Sequence, residues 1–212
     1  MKLPGYSGFY HVLDLGEWFK AVTTAEKYEQ VFTMLSASPT KPEIIAIAIA
    51  KLKLRPGDTF CDVGCGTGAV SIAASRFADT IYAIDIRDEA IRVAEQNFAA
   101  AGILDKVTLV HGEASEAIAD LPARIDCAFI GGTRNVESVL AGLCAKVRGR
   151  VVANAARIET AARIIGCIKS LGIFEEVIHV QVSKGYELAG ETAFKPANPV
   201  YIVVGDAGKL KS

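Results

Sequence analysis

An α/β fold is predicted, with a seven-stranded, mostly parallel sheet, helices on both faces and an antiparallel hairpin strand at the C-terminal end. Three observations predict it. From Thr59 onward, short β-branched runs alternate with amphipathic stretches. A glycine-rich turn, Gly64 to Gly68, joins the first such run to the next amphipathic stretch. The last two runs are separated only by Lys184 to Pro199, which leaves no room for a crossover helix, so these strands should pair antiparallel.

Residues 1–37 read as an appendage, set apart by the only tryptophan, Trp18, and by Tyr6, Phe9, Tyr10, Phe19, Tyr28 and Phe32. Within it Glu17 to Leu35 reads as a helix; the segment packs on the main domain, covers the substrate site or contacts another copy. The main domain spans 38–212. Thr40-Lys41-Pro42-Glu43 has the form of a capping box, in which the threonine and glutamate side chains satisfy free backbone donors at a helix start. The helix that follows runs to about Leu54 and is apolar nearly all round, which buries it. Strands are expected near Thr59–Val63, Thr80–Asp85, Lys106–Val110, Ile125–Ile130, Arg150–Asn154, Glu175–Ser183 and Val200–Val204. Helices are expected near Ala69–Phe77, Asp88–Ala101, Ser115–Asp120, Val136–Val147 and Glu159–Leu171.

The chain has 212 residues, 51% of them hydrophobic, with 23 basic against 24 acidic side chains, a composition that excludes a disordered tail and a disulfide-framed secreted module. The formal net charge of −1 argues against a general basic surface for nucleic acid. The longest strongly apolar run, Ile44 to Ala50, falls far short of the roughly 20 residues that a bilayer requires. A cytoplasmic protein with no membrane and no nucleic-acid partner is expected. Five cysteines without a repeated Cys-x-x-Cys spacing fit reduced thiols rather than bridges or a zinc site, and no metal site is expected.

The segment Asp62-Val63-Gly64-Cys65-Gly66-Thr67-Gly68 lies between the first strand and its helix. Glycines there let the chain turn sharply and let a ligand approach the backbone. The Gly-x-Gly-x-Gly spacing departs from the dinucleotide fingerprint and from the phosphate loop. It resembles instead the first motif of class I S-adenosylmethionine-dependent methyltransferases. Asp85, 17 residues after Gly68 at the end of an apolar strand, offers acceptor oxygens for a ribose diol. The alternative for Asp85 is a helix N-cap. After the third strand, in His111-Gly112-Glu113-Ala114, the small Ala114 leaves room for a ring where this superfamily meets the adenine. The segment Phe129-Ile130-Gly131-Gly132-Thr133-Arg134 lacks the Asn/Asp-Pro-Pro-aromatic signature of amino-group methyltransferases, which disfavours that chemistry.

Taken together, Pro39-Thr40-Lys41-Pro42-Glu43, the glycine turn, Tyr82-Ala83-Ile84-Asp85, Gly112-Glu113-Ala114, Ala128-Phe129-Ile130-Gly131-Gly132 and Asn198-Pro199-Val200 resemble the decarboxylating precorrin methyltransferases of cobalamin biosynthesis. The likeness runs from about Ser38 to Gly205. It implies a Rossmann-like class I methyltransferase sheet and S-adenosyl-L-methionine as cofactor. It implies methylation of carbon 15 of a corrin precursor, cobalt-precorrin-6B in the stand-alone form, with decarboxylation of the ring C acetate. By matching motif, Gly64, Cys65, Gly66, Thr67 and Gly68 would line the methionine end of the cofactor, Asp85 would hold its ribose, Ala114 would face its adenine, and Thr40 would also touch it. The resemblance further implies a homo-oligomer, a tetramer. The segment before Ser38 and the pair Thr133-Arg134 depart from the family pattern, at the substrate entrance rather than the cofactor site.

The tetrapyrrole is polyanionic while the chain is near neutral, so basic residues must be concentrated locally. Arg134 after the fourth strand, Arg157 past the fifth, and Lys184 and Lys195 in the last connection are candidates, each equally able to serve as a solvated surface charge. Asn154, at the end of the fifth strand, is a candidate hydrogen-bonding group for the substrate or a cap for the next turn. No catalytic base is assigned. Two rival readings are a class I methyltransferase acting on transfer-RNA adenine, and a subunit that binds S-adenosylmethionine without chemistry.

Overall fold

A computed structural model of the chain describes residues 40–132 and 134–210. The expected N-terminal appendage, the Glu17 to Leu35 helix and Thr133 lie outside the described residues.

The elements in chain order are α1 (Pro42–Leu52), β1 (Asp58–Val63), α2 (Ala69–Ala74), β2 (Ala78–Asp85), α3 (Asp88–Ala101), β3 (Val107–His111), α4 (Ala114–Asp120), β4 (Cys127–Ile130), α5 (Val136–Lys146), β5 (Arg150–Ala155), α6 (Ile158–Ser170), β6 (Phe174–Val180), β7 (Ser183–Leu188), β8 (Glu191–Pro196) and β9 (Val200–Asp206). The main sheet has seven strands in the order β3-β2-β1-β4-β5-β9-β6, as expected in number. Strands β1 to β5 pair parallel, and β9 runs antiparallel between β5 and β6. The chain winds outward from β1 to β3, then returns to place β4 on the other side of β1. That reversal opens a crevice beyond the carboxyl ends of β1 and β4, the usual ligand position in an open α/β sheet.

Two apolar layers hold the sheet between helices. On one face Phe60, Ile81, Val152 and Val204 pack with Ile44, Ala48 and Leu52 of α1 and Val70 of α2. On the other, Val63, Ile84, Ile130, Val151 and Val203 pack with Ile118 of α4, Leu140 and Leu143 of α5, and Ile164 and Ile168 of α6. Burying one such leucine or isoleucine contributes about 1.5–3 kcal/mol relative to leaving it exposed. Among the described residues no helix is long and apolar enough to cross a membrane.

Two expectations are corrected. The capping box does not form: α1 starts at Pro42 with Lys41 as N-cap, and no side chain among the described residues caps it. Proline keeps the preceding residue out of the helical region, and Lys41 is extended at φ −66°, ψ 148°. Thr40 therefore falls one residue outside the cap, and Glu43 meets Lys184 Nζ at 3.6 Å instead of reaching back to its own helix. The second correction concerns the stretch from Lys184 to Pro199, which is no plain connection. It holds most of the separate two-stranded hairpin β7–β8, turned by Ala189 and Gly190 at φ 53° and 84°. A two-residue hairpin loop of type I′ needs positive φ at both centres, which Asn-Gly signals more strongly than Ala-Gly.

Candidate functional site

The carboxyl ends of β1, β2 and β4 are tied together by backbone. Gly64 and Cys65 donate their N–H groups to the Ile84 carbonyl at 2.8 and 2.9 Å, binding the glycine turn to β2. Gly131 and Gly132 donate to the Val63 carbonyl at 2.8 and 3.2 Å, folding the loop after β4 onto the end of β1. Gly64 has φ +74°, and a Cβ there would lie 2.5 Å from the Gly132 nitrogen. Gly64 and Gly131-Gly132 therefore form one seam, in which two loops touch main chain to main chain. This gives the Phe-Ile-Gly-Gly segment a physical role that its sequence leaves open. Gly68, at φ +80°, has a different neighbour, since a Cβ there would overlap the Phe98 ring of α3.

The seam walls a cleft of about 210 Å³ lined by Val63, Gly64, Ile84, Asp85, Ile86, Arg87, Gly112, Glu113, Ala114, Gly131, Gly132 and Arg134. Of the residues expected to hold the cofactor, Gly64, Asp85 and Ala114 are on this wall. Cys65, Gly66, Thr67 and Gly68 belong to the turn behind it, and Thr40 also lies off it. Cys65 is buried among Ile72, Ala83, Ala94 and Phe98, where burial pushes its thiol far up and leaves it an inert apolar group. Thr67 is buried, and its carbonyl accepts from the Asn97 side chain of α3 at 2.8 Å. Gly66 donates its N–H to Asp85 Oδ2 at 2.9 Å.

Asp85 is only 4% exposed and closes β2 beneath the cleft. Burial pushes its carboxyl upward, but hydrogen bonds from Arg87 and Gly66 outweigh that and hold it below the ordinary carboxylate value. Asp85 thus enters the cleft ionised and acceptor-only. Across from it Glu113 caps α4, accepting from the Ser115 and Glu116 backbone at 2.7 and 3.3 Å and from the Ser115 hydroxyl. The Asn135 amide donates to its other oxygen at 3.3 Å. Those bonds, led by the Ser115 hydroxyl, hold its carboxyl below the ordinary value. Arg87, Asn97 and Asn135 were not found by sequence reasoning. The only signal for Arg87 was its place two residues after Asp85; the amides carried none.

The residues expected to meet substrate are spread over the loop after β4, the end of β5, the start of α6 and the β7–β8 hairpin. Arg134 is exposed at the lip of the cleft. Lys184 and Lys195 are cross-strand partners in the β7–β8 hairpin, so two like charges stand side by side on one face. Arg157 is exposed as the residue before α6. Asn154, 9% exposed near the end of β5, has neither its amide nitrogen nor its oxygen hydrogen-bonded among the described residues. A buried polar side chain left this way costs about 1–3 kcal/mol.

The lining has the chemistry of an adenine-nucleoside site: an ionised carboxylate at Asp85, apolar walls at Val63, Ile84 and Ile86, and a small residue at Ala114. This sheet order, with a glycine turn after β1 and an acid ending β2, defines the class: a class I methyltransferase fold, shared with an O-methyltransferase structure from Thermotoga maritima. The family follows from the sequence. A family model described as a precorrin methyltransferase domain matches residues 35–205, and the chain belongs to that family. It is 55% identical over 175 residues to the probable cobalt-precorrin-6B C(15)-methyltransferase (decarboxylating) of Methanosarcina mazei, covering 81% of this chain and 95% of that one. Among solved structures it is similar to a precorrin-8W decarboxylase from Methanobacterium thermoautotrophicum, with a TM-score of 0.79 and 29% identity, covering 83% of this chain and 97% of that one.

Proposed function

We propose that this chain is an S-adenosyl-L-methionine-dependent C-methyltransferase that methylates carbon 15 of cobalt-precorrin-6B and releases the ring C acetate carboxyl as carbon dioxide, in cobalamin biosynthesis in the cytoplasm. The observation that carries this reading is the placement of Asp85, Gly64 and Ala114 on one cleft wall in a chain of the precorrin methyltransferase family.

Bound in that cleft, the cofactor supplies a methyl group already activated as a sulfonium, so no strong base is demanded of the protein. Asp85 accepts the ribose hydroxyls, the seam of Gly64 against Gly132 walls the methionine end, and Ala114 leaves room for adenine. Val63, Ile84 and Ile86 keep water from the reacting centre, and orientation carries much of the rate. Desolvating the acetate carboxylate against apolar walls promotes its loss. No residue is assigned as general base. The substrate carboxylates are met by Arg134 at the lip and by Lys184 and Lys195 on the hairpin, while Asn154 donates and accepts at the end of β5.

The anionic tetrapyrrole is the only partner proposed besides further copies of the chain. Tyr186, Leu188 and Phe194 stand 47%, 58% and 68% exposed on the hairpin, and a two-stranded hairpin alone is marginally stable in water. Pairing with other copies, as a homotetramer, covers them.

The test is incubation with cofactor and cobalt-precorrin-6B, followed by the product mass. One added methyl and one lost carbon dioxide support the reading, and an unchanged tetrapyrrole contradicts it. Replacing Arg134, Lys184 and Lys195 together with alanine weakens tetrapyrrole binding; unchanged affinity refutes their placement.

A further inference from the structure

Asp85, taken above as the ribose acceptor, has no acceptor site left to give. Its Oδ1 accepts from the Arg87 backbone N–H at 3.0 Å and from Arg87 Nε at 3.1 Å. Its Oδ2 accepts from the Gly66 N–H at 2.9 Å and from Arg87 Nη2 at 3.2 Å. A carboxylate offers about four lone-pair positions, and all four are filled. Two of the bonds come from main chain fixed in the turn and in the start of α3, and these cannot leave without unfolding the site. The other two come from the guanidinium, are the two longest, and belong to a side chain 48% exposed. Arg87 also lines the cleft, whose volume of about 210 Å³ is below the ~300 Å³ at which ligand pockets usually begin.

We propose that Arg87 is a latch on the nucleoside site: its guanidinium occupies Asp85 in the ligand-free protein and is exchanged for the two ribose hydroxyls when the nucleoside enters. The inference rests on the cofactor reading given above. Before entry the guanidinium holds the buried carboxylate ionised and aimed into the cleft. On exchange it swings toward solvent, widening the cleft and leaving a cation at its mouth, on the side where carboxylates of a substrate arrive. The latch lowers apparent nucleoside affinity by the fraction of molecules that are open.

The probes are 5′-methylthioadenosine, which carries no net charge, and its 2′,3′-dideoxy form, titrated calorimetrically into the wild-type chain, Arg87→Ala and Arg87→Lys. Arg87→Ala should bind methylthioadenosine about fivefold more tightly than wild type, because an ion pair weakened by its half-exposed guanidinium no longer competes. Arg87→Lys should fall between the two, since one ammonium cannot fork across both oxygens. The gain should vanish with the dideoxy probe, which has no hydroxyls to exchange. Equal or weaker binding of methylthioadenosine by Arg87→Ala, or an equal gain with both probes, overturns the latch while leaving the cofactor reading intact. If folded wild type binds neither methylthioadenosine nor S-adenosylhomocysteine, the cofactor reading fails and the latch fails with it.

Discussion

At the β1–β2 end of the sheet's carboxyl edge, the two carboxylates facing the cleft are saturated: Asp85 has four donors, and Glu113 has donors from Ser115, Glu116 and Asn135. At the β5 end, Asn154 is almost as buried, and neither of its amide atoms has a partner among the described residues. The first region is organised before any ligand arrives, with its seam of Gly64 against Gly131-Gly132 fixed by main-chain bonds. The second carries an amide left without a partner among the described residues. This contrast matches a cofactor whose shape is constant in every turnover and a substrate whose binding completes the site.

The sharpest way to break the comparison is at the seam. Gly64→Ala forces a Cβ to 2.5 Å from main chain at positive φ, and both constraints are rigid. Urea unfolding should show a loss above about 3 kcal/mol, or no folded protein. The matching change Gly66→Ala, whose nearest neighbour is the side-chain end Arg87 Nη2 at 3.8 Å, should cost only about 1 kcal/mol for its positive φ. Similar losses for the two would show that the seam has no special role.

Asn154→Leu tests the other side. Removing a buried, unbonded amide should stabilise the chain by about 1–2 kcal/mol in the same assay while weakening tetrapyrrole binding. A variant less stable than wild type would mean that the amide is satisfied in solution.

A third effect is tied to pH. Asp62, beneath the glycine turn, is wholly buried, and burial pushes its carboxyl up to about 7 despite a 2.6 Å hydrogen bond from the Ser71 hydroxyl. Between its ordinary value near 4 and this raised one, the native state holds a proton that the unfolded chain has lost. Stability therefore falls as pH rises through that window, by at most about 1.4 kcal/mol per pH unit, and levels off above it. Asp62→Asn should flatten the slope; an unaltered slope would assign it to another group.

The smallest energetic effect belongs to the hairpin. Leu188→Ser with Phe194→Ser should change unfolding free energy by less than about 0.5 kcal/mol in the separated chain, because both side chains are exposed. Sedimentation should nevertheless show a smaller assembly. An unchanged assembly would place the contact elsewhere.

Much of this contrast could be read from the residues. Alternation of β-branched and amphipathic runs located the seven strands of the main sheet, because a sheet covered on both faces leaves that pattern at every crossing. Asp85 was legible as an acid ending an apolar strand, and Asn154 as a polar residue ending another. The capping box failed because Pro42 governs Lys41 more strongly than Thr40 and Glu43 govern the helix start. The hairpin β7–β8 was missed because its residues are nearly all exposed and Ala189-Gly190 is a weak turn signal. The partnership of Gly64 with Gly131-Gly132 and the grip of Arg87 on Asp85 depend on close approaches between loops, which no local pattern records.

The proposed function assigns two ligands to two separate regions of one edge. The direct measurement is equilibrium binding of S-adenosylhomocysteine and of cobalt-precorrin-6B, each to Asp85→Ala and to Asn154→Ala. The account predicts a crossed result: Asp85→Ala loses the nucleoside by tenfold or more and keeps the tetrapyrrole, while Asn154→Ala does the reverse. Equal weakening of both ligands in both variants would contradict it.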